Sequence, residues 1–174
     1  PGVEAVGVIE ELGDDVQELK IGDRIVYITG GYGAYASHRL LDQNLAIKLP
    51  EFVSDELMAT NFSRALTVKM LLEKVTKLTS DNSILVTAAT GGVGKLLCQA
   101  ANSLGAMVIG SVSSYEKVEI AKKYGCRHSF VYDHDQFVEK IFDLTNGKGV
   151  DFVFDAVGIT TINNSIEFIS LCDH

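Results

Sequence analysis

Ala88-Ala89-Thr90-Gly91-Gly92-Val93-Gly94 decides how this chain is read, because of what flanks it. Ahead lies Ile84-Leu85-Val86-Thr87, short and β-branched enough for a buried parallel strand. Behind it Leu96, Leu97, Ala100, Ala101 and Leu104 recur at helical spacing until Gly105 stops the helix. A glycine turn between a strand and a helix is where backbone amides and the positive end of a helix dipole bind phosphate. Gly91 and Gly92 let the main chain approach a pyrophosphate without a Cβ, and Gly94 lets the helix press on its strand. The stretch therefore reads as the first turn of a dinucleotide-binding unit, although Ala89 stands where the usual G-x-G-x-x-G has its first glycine. A magnesium-nucleotide loop, G-x-x-x-x-G-K-[ST], fails twice: at Ala89, and at Leu96, where a hydroxyl is needed.

Outward from this turn the pattern is alternating strand and helix. Strands are expected at 84–87, 107–112, 130–132 and 150–154, and helices up to Leu104 and at 116–124, 137–144 and 162–171. Ser113 with Glu116 has capping-box spacing, while Gly125 and Asn146-Gly147 sit where helices end on left-handed residues. The four strands should lie in the order 3-2-1-4 with right-handed crossovers, and a ligand sits where the order reverses, at Gly91. Before Ser83 the character differs. Residues 6–9, 24–28 and 34–41 read as strands joined by Gly13-Asp14-Asp15 and Lys20-Ile21-Gly22-Asp23. Ser54-Asp55 can cap a helix and 65–77 forms another, so two helices bridge the halves. The resulting division is a β domain over 1–54, connecting helices over 55–80 and a nucleotide-binding α/β domain over 81–174.

Composition bounds the function. The 174 residues are 47% hydrophobic, ample for a core, and carry a net charge of -8, which argues against a nucleic-acid or anionic-membrane surface. No run approaches the roughly eighteen apolar residues of a membrane span, and Pro1-Gly2-Val3-Glu4 is no signal peptide. Cys98, Cys126 and Cys172, odd in number and far apart, fit reduced thiols in a cytoplasmic protein, each a small buried hydrophobe.

The second strand chooses the cofactor. An NAD site needs an acid at that strand's carboxyl end, about twenty residues beyond the glycines, to accept from the ribose 2′-hydroxyl. Here the region is Gly110-Ser111-Val112-Ser113-Ser114, with no acid, and Lys117 follows one helical turn on. Serine hydroxyls and an ammonium hold a 2′-phosphate, so NADPH is expected rather than NADH. The competing reading is that Ser113 and Ser114 cap a helix and Lys117 is a solvated charge.

Taken together, several segments resemble one family: Gly2-Val3-Glu4-Ala5-Val6-Gly7-Val8, Gly22-Asp23-Arg24-Ile25-Val26-Tyr27, Gly33-Ala34-Tyr35, Ala65-Leu66-Thr67, the turn followed by Gln99, and Asn146-Gly147-Lys148-Gly149-Val150-Asp151 leading to Asp155-Ala156-Val157-Gly158. The chain is similar to the zinc-free, zeta-crystallin-like quinone oxidoreductases of the medium-chain dehydrogenase/reductase superfamily. The resemblance implies a partial GroES-like β domain joined to a truncated Rossmann sheet, in a piece of a longer protein, with NADPH passing hydride to a quinone or an activated enone. By position it places Thr67 beside the nicotinamide, Thr90, Gly91, Gly92, Val93 and Gly94 at the pyrophosphate, Ser113 and Lys117 at the 2′-phosphate, and Tyr132 along the adenosine. An aromatic ending the third strand can also pack there on its own account. Thr90 replaces the family's usual small residue.

No catalytic residue is assigned, since the relevant segments lie outside this stretch of the family. No metal is expected: Val3 stands where metal-dependent relatives have histidine, no cysteine lies between Tyr27 and Gly33, and His38, His128, His134 and His174 are not paired with cysteine at ligand spacing. Partners are expected to be a small-molecule quinone or enone and a second copy in a homodimer, with no nucleic acid and no membrane. An unpaired sheet edge at 150–154 would favour self-association. Readings of other classes are a non-catalytic nucleotide-binding module and an S-adenosylmethionine-binding sheet; the second leaves the β-rich first fifty residues unexplained.

Overall fold

The computed structural model describes residues 1–29, 31–132, 136–167 and 169, which fall into two units, Pro1–Ser63 and Arg64–His174. In the first, β1 (Glu4–Val8) pairs antiparallel with β2 (Arg24–Ile28), Glu4 opposite Ile28 and Val8 opposite Arg24. Reciprocal bonds Ile9 N to Asp23 O (3.0 Å) and Gly22 N to Ile9 O (2.8 Å) close the ladder, with Gly22 at φ +88°. β2 is the buried centre: Ile25, Val26 and Tyr27 are all covered.

The third strand is not 34–41 but β3 (Ile47–Lys48), which pairs with Ile25 and Val26 of β2. The 34–41 stretch lacks the alternation of a half-buried strand, with Ser37-His38-Arg39 between apolar ends, and left-handed Gly31 and Gly33 turn the chain just before it. Its entry is tied to the amino terminus by Ala34 N to Gly2 O and Tyr35 N to Pro1 O. Arg39 is drawn instead onto the Tyr27 ring and hydroxyl, and Leu40 is exposed.

The expected pair of bridging helices is one. α1 (Asp55–Met70) begins with the Ser54 hydroxyl accepting from Leu57 N at 3.2 Å, as the capping residues predict, and runs straight into a π-helical turn, Leu71–Val75. Thr76 ends it by donating both its amide and its hydroxyl to Leu71 O. Nothing between Ser54 and Thr76 breaks the helix: the stretch holds no Gly or Pro.

The second unit is a parallel sheet of β4 (Ser83–Val86), β5 (Met107–Val112), β6 (His128–Val131) and β7 (Phe152–Phe154) in the spatial order β6-β5-β4-β7. This is the 3-2-1-4 order the sequence predicts. Period-two alternation gives each face its own core. Ile84, Val86, Val108 and Val112 pack with Leu97, Cys98 and Ala101 of α2 (Gly92–Ser103), Ala121 of α3 (Glu116–Lys123), and Val68 and Leu72. Leu85 and Ile109 pack with Phe137 and Ile141 of α4 (Phe137–Leu144) and Val150. Helices on both faces make the sheet doubly wound, and α5 (Ile162–Glu167) follows β7. The rest of the expected last helix, at 168 and 170–171, lies outside the described residues, as do His134, Cys172 and His174.

Three helices end in the same way. Gly105 and Gly125 (φ +89° and +96°) and Asn146 (φ +54°) each take the left-handed residue of a Schellman motif. The paired bonds are Gly105 N to Asn102 O with Ala106 N to Ala101 O, Gly125 N to Lys122 O with Cys126 N to Ala121 O, and Asn146 N to Asp143 O with Gly147 N to Phe142 O. The capping box expected at Ser113 is absent: Tyr115 is the N-cap of α3, with no side-chain cap bond. At the 150–154 edge, Val150, two residues before β7, makes an isolated parallel bridge with Ile169, while β7 itself pairs with β4.

Candidate functional site

The turn 88–94 sits at the carboxyl end of β4, between the ends of β5 and β7. Ala89 N bonds Ser111 O of β5 at 3.0 Å and Thr87 N bonds Phe154 O of β7 at 3.0 Å, fixing it from both sides. Ala88 takes a left-handed conformation (φ +49°), unusual for a residue with a Cβ, and accepts from Gly91 N at 2.8 Å. A methyl on Gly94 would stand 2.4 Å from the Ala88 carbonyl oxygen, so the helix can approach its strand only because this residue is glycine.

The first intrahelical bond of α2 is Lys95 N to Gly91 O, so the amides of Gly92, Val93 and Gly94 have no acceptor within the helix. Gly91 and Gly92 are exposed, while Thr90 and Val93 are half-buried. Gly94 is buried against the strand, so the accessible part of this helix end is at Gly91 and Gly92. Sequence reasoning missed the residue that covers it: a methyl on Gly92 would lie 2.8 Å from Arg64 Nε. A guanidinium at the positive end of a helix, over a residue with no side chain, makes a concentrated anion-attracting surface. Thr67, three residues on from Arg64, shares its face of α1 and is half-buried. The signal available was this spacing, one basic residue a helical turn before Thr67.

At the end of β5 the structure joins two expected residues directly. Lys117 Nζ donates to the exposed Ser113 hydroxyl at 2.8 Å across one turn. Tyr132 is beside them, its amide bonded to Val112 O at 2.9 Å. Its ring meets the Phe137 ring edge-on at 4.6 Å and its hydroxyl donates to Thr160 O at 2.7 Å, so it also serves the packing. Burial, and then the Asp155 charge, push its phenol up.

Asp155 holds the neighbouring strand end. Its carboxylate accepts from the hydroxyls of Thr161 (2.8 Å), Ser165 (2.7 Å) and Thr87 (3.1 Å), and from the amides of Val157 (2.8 Å) and Gly158 (3.0 Å). Burial pushes its pKa up, but the bonds from Thr161, Gly158, Ser165 and Val157 outweigh it and hold the group at about 2. Thr87 completes the latch by accepting from Ala156 N at 2.8 Å, immediately ahead of the 88–94 turn. Among the described residues no group of three or more His, Cys, Asp and Glu gathers as a metal site, and no helix is long and apolar enough to cross a membrane.

Known proteins place this arrangement. Residues 1–51 match the alcohol dehydrogenase GroES-like domain and residues 92–171 the family described as zinc-binding dehydrogenase. Quinone oxidoreductase 1 of Escherichia coli (strain K12) is 39% identical over 95% of this chain and 51% of its own length. A 2-haloacrylate reductase of a Burkholderia species is 36% identical over 95% of this chain and 50% of its own. The crystal structure of Escherichia coli quinone oxidoreductase complexed with NADPH superposes with a TM-score of 0.92 at 37% identity, covering 97% of this chain and 52% of that one.

A GroES-like amino-terminal domain followed by a dinucleotide-type parallel sheet defines the class, the medium-chain dehydrogenases/reductases. Within it the chain is quinone oxidoreductase-like. It spans about half the length of the curated relatives it matches.

Proposed function

We propose that this chain is the nucleotide-binding part of an NADPH-dependent oxidoreductase that reduces a quinone by hydride transfer without zinc. One observation carries the reading: the amides of Gly92, Val93 and Gly94 have no acceptor within the helix, and they lie at a helix end that is exposed at Gly91 and Gly92, beside the Arg64 side chain. Those amides would hold the pyrophosphate, with Thr90 and Gly91 shaping the turn. Ser113 and Lys117 would hold the 2′-phosphate, supported by their 2.8 Å bond and by the lack of an acid there. Tyr132 would lie along the adenosine, and Thr67 beside the nicotinamide. When bound, the cofactor supplies the hydride, and a hydroquinone product can draw its protons from water. The chain's own task is therefore to bind and orient.

The crystallised NADPH complex of the Escherichia coli relative supports the cofactor, and the shared quinone oxidoreductase names support the acceptor. A second reading, reduction of a conjugated double bond, is favoured by the likeness to the 2-haloacrylate reductase. We place the protein in the cytoplasm as a homodimer. The test is a panel of quinones, enones and 2-haloacrylates followed by NADPH oxidation. Quinone turnover supports the first reading, and turnover of activated alkenes alone replaces it with the second. NADPH binding without oxidation of any acceptor leaves a non-catalytic module.

A further inference from the structure

Cys98 and Cys126 are 28 residues apart in sequence, yet their sulfurs lie 3.4 Å from each other. The topology explains why. α2 and α3 cover the same face of the sheet, and the segment after α3 is pinned at three points beside α2. Cys126 N bonds Ala121 O, Arg127 N bonds Val108 O, and Gly125 presses on Asn102, where a methyl would meet its Cβ at 2.8 Å. Room for the second sulfur comes from Gly110 of β5: a Cβ there would stand 2.7 Å from Cys126 Sγ. Both thiols are free, and a covalent S–S bond of about 2.05 Å asks for an approach of little more than an ångström.

Access comes from one side. Cys126 lines a cavity of about 830 Å³ at the amino ends of the strands, away from the phosphate turn, together with Asn102, Lys122, Arg127 and Lys148. Its charged lining is mixed, the exposed Lys122, Arg127 and Lys148 with Asp81 and Asp151, so the cavity is polar and faces solvent. We propose that Cys98 and Cys126 are a reversible oxidation site, closing to a disulfide on reaction with a hydroperoxide.

In the first step the Cys126 thiolate attacks a peroxide oxygen. An S–O bond forms, the O–O bond breaks, and water or an alcohol leaves after protonation. In the second, Cys98 attacks the Cys126 sulfur: the S–S bond forms, the S–O bond breaks, and the hydroxyl leaves as water with the Cys98 proton. The two thiols lose two electrons and the peroxide gains them; a dithiol reductant reverses the change by exchange. The roles follow the environment. The hydrogen bond with Cys98 holds the Cys126 thiol below its ordinary value against its burial, whereas that bond and burial push Cys98 up.

The bond bears on the nucleotide site because Cys98 Sγ lies 4.0 Å from Ala89 O, within the turn, on the helix that presents its amides. Drawing Cys98 toward Cys126 disturbs packing in which Gly94 has no spare space. The oxidised protein should bind NADPH several-fold more weakly, an effect that rests on the proposed phosphate site, as the bond itself does not.

The experiment treats the reduced chain with hydrogen peroxide, alkylates it, and maps peptides without reduction. The expected product is one cross-link between the Cys98 and Cys126 peptides, lighter by two hydrogens, reversed by dithiothreitol and retained in Cys172→Ser. Cys98→Ser should instead carry a sulfinic or sulfonic Cys126. Cross-linking only through Cys172, or both thiols still alkylated at peroxide levels that oxidise free cysteine, overturns the proposal. A cross-link with unchanged NADPH affinity keeps the bond and overturns its coupling to the turn. Absence of NADPH binding in both states refutes the nucleotide reading and leaves the bond standing.

Discussion

Replacing Asp155 with Asn tests whether the charge of this carboxylate, rather than its shape, latches β7 to the turn-bearing strand. An amide retains Oδ1, which can still accept from Thr161, Gly158 and Val157, and turns Nδ2 toward the Ser165 oxygen, whose hydroxyl can rotate to accept. What is lost is the charge assistance of those bonds. The native carboxyl is held at about 2, against about 3.8 for a free aspartate, a difference of about 2.4 kcal/mol. Partial exposure reduces this to about 2 kcal/mol at pH 7. Because the folded pKa is lowered, the contribution is whole above the unfolded value near 4 and falls as the pH drops toward 2. At pH 3 about half should remain.

Urea unfolding of both proteins at pH 7, 5, 4 and 3 gives the comparison, followed by far-UV circular dichroism because the chain has no tryptophan. The wild type should be more stable by about 2 kcal/mol at neutral pH, narrowing to about 1 at pH 3. A gap that stays constant across this range would refute the assignment of Asp155 as the strongly depressed group. A gap of zero at pH 7 would show that water replaces the charge of the latch without loss.

Gly94→Ala should cost more than about 2 kcal/mol, because the methyl meets backbone 2.4 Å away, and a chemical-denaturation curve measures it. Gly92→Ala meets only the Arg64 side chain, so its stability should stay within about 0.5 kcal/mol of the wild type, while NADPH affinity by calorimetry falls as the methyl enters the phosphate approach. Lys117→Ala should weaken NADPH about tenfold, or about 1.4 kcal/mol, and leave NADH nearly unchanged. An equal loss for the two cofactors removes Lys117 from the 2′-phosphate role. Ser54→Ala should destabilise by about 1 kcal/mol through the lost α1 cap, read from the urea midpoint.

The parallel sheet was legible because its determinants are local and agree with one another. Ile84 and Val86 face one core and Leu85 the other, a period the residues state directly, and Gly105, Gly125 and Asn146 mark helix ends that need a left-handed residue. The β unit was less legible because composition alone does not choose a strand's partner. Residues 34–41 hold apolar residues at both ends, yet the place beside β2 goes to Ile47 and Lys48, after a chain turned by left-handed Gly31 and Gly33. Ser113 shows the same limit within one turn. Its spacing to Glu116 is that of a cap, but α3 begins at Glu116 with Tyr115 in the cap position, and the serine hydroxyl meets Lys117 instead.

At the site, Gly91 and Gly94 declare themselves because a Cβ at either would press on the Ala88 carbonyl oxygen. Arg64 over Gly92 and Cys98 beside Cys126 do not, since both meetings depend on which elements share a face of the sheet. The same face carries both. α2 carries the acceptor-poor amides of its first turn at one end and, within the same helix, the Cys98 sulfur that meets Cys126 and lies 4.0 Å from Ala89 O, so a shift of this helix acts on the 88–94 turn and on the thiols together.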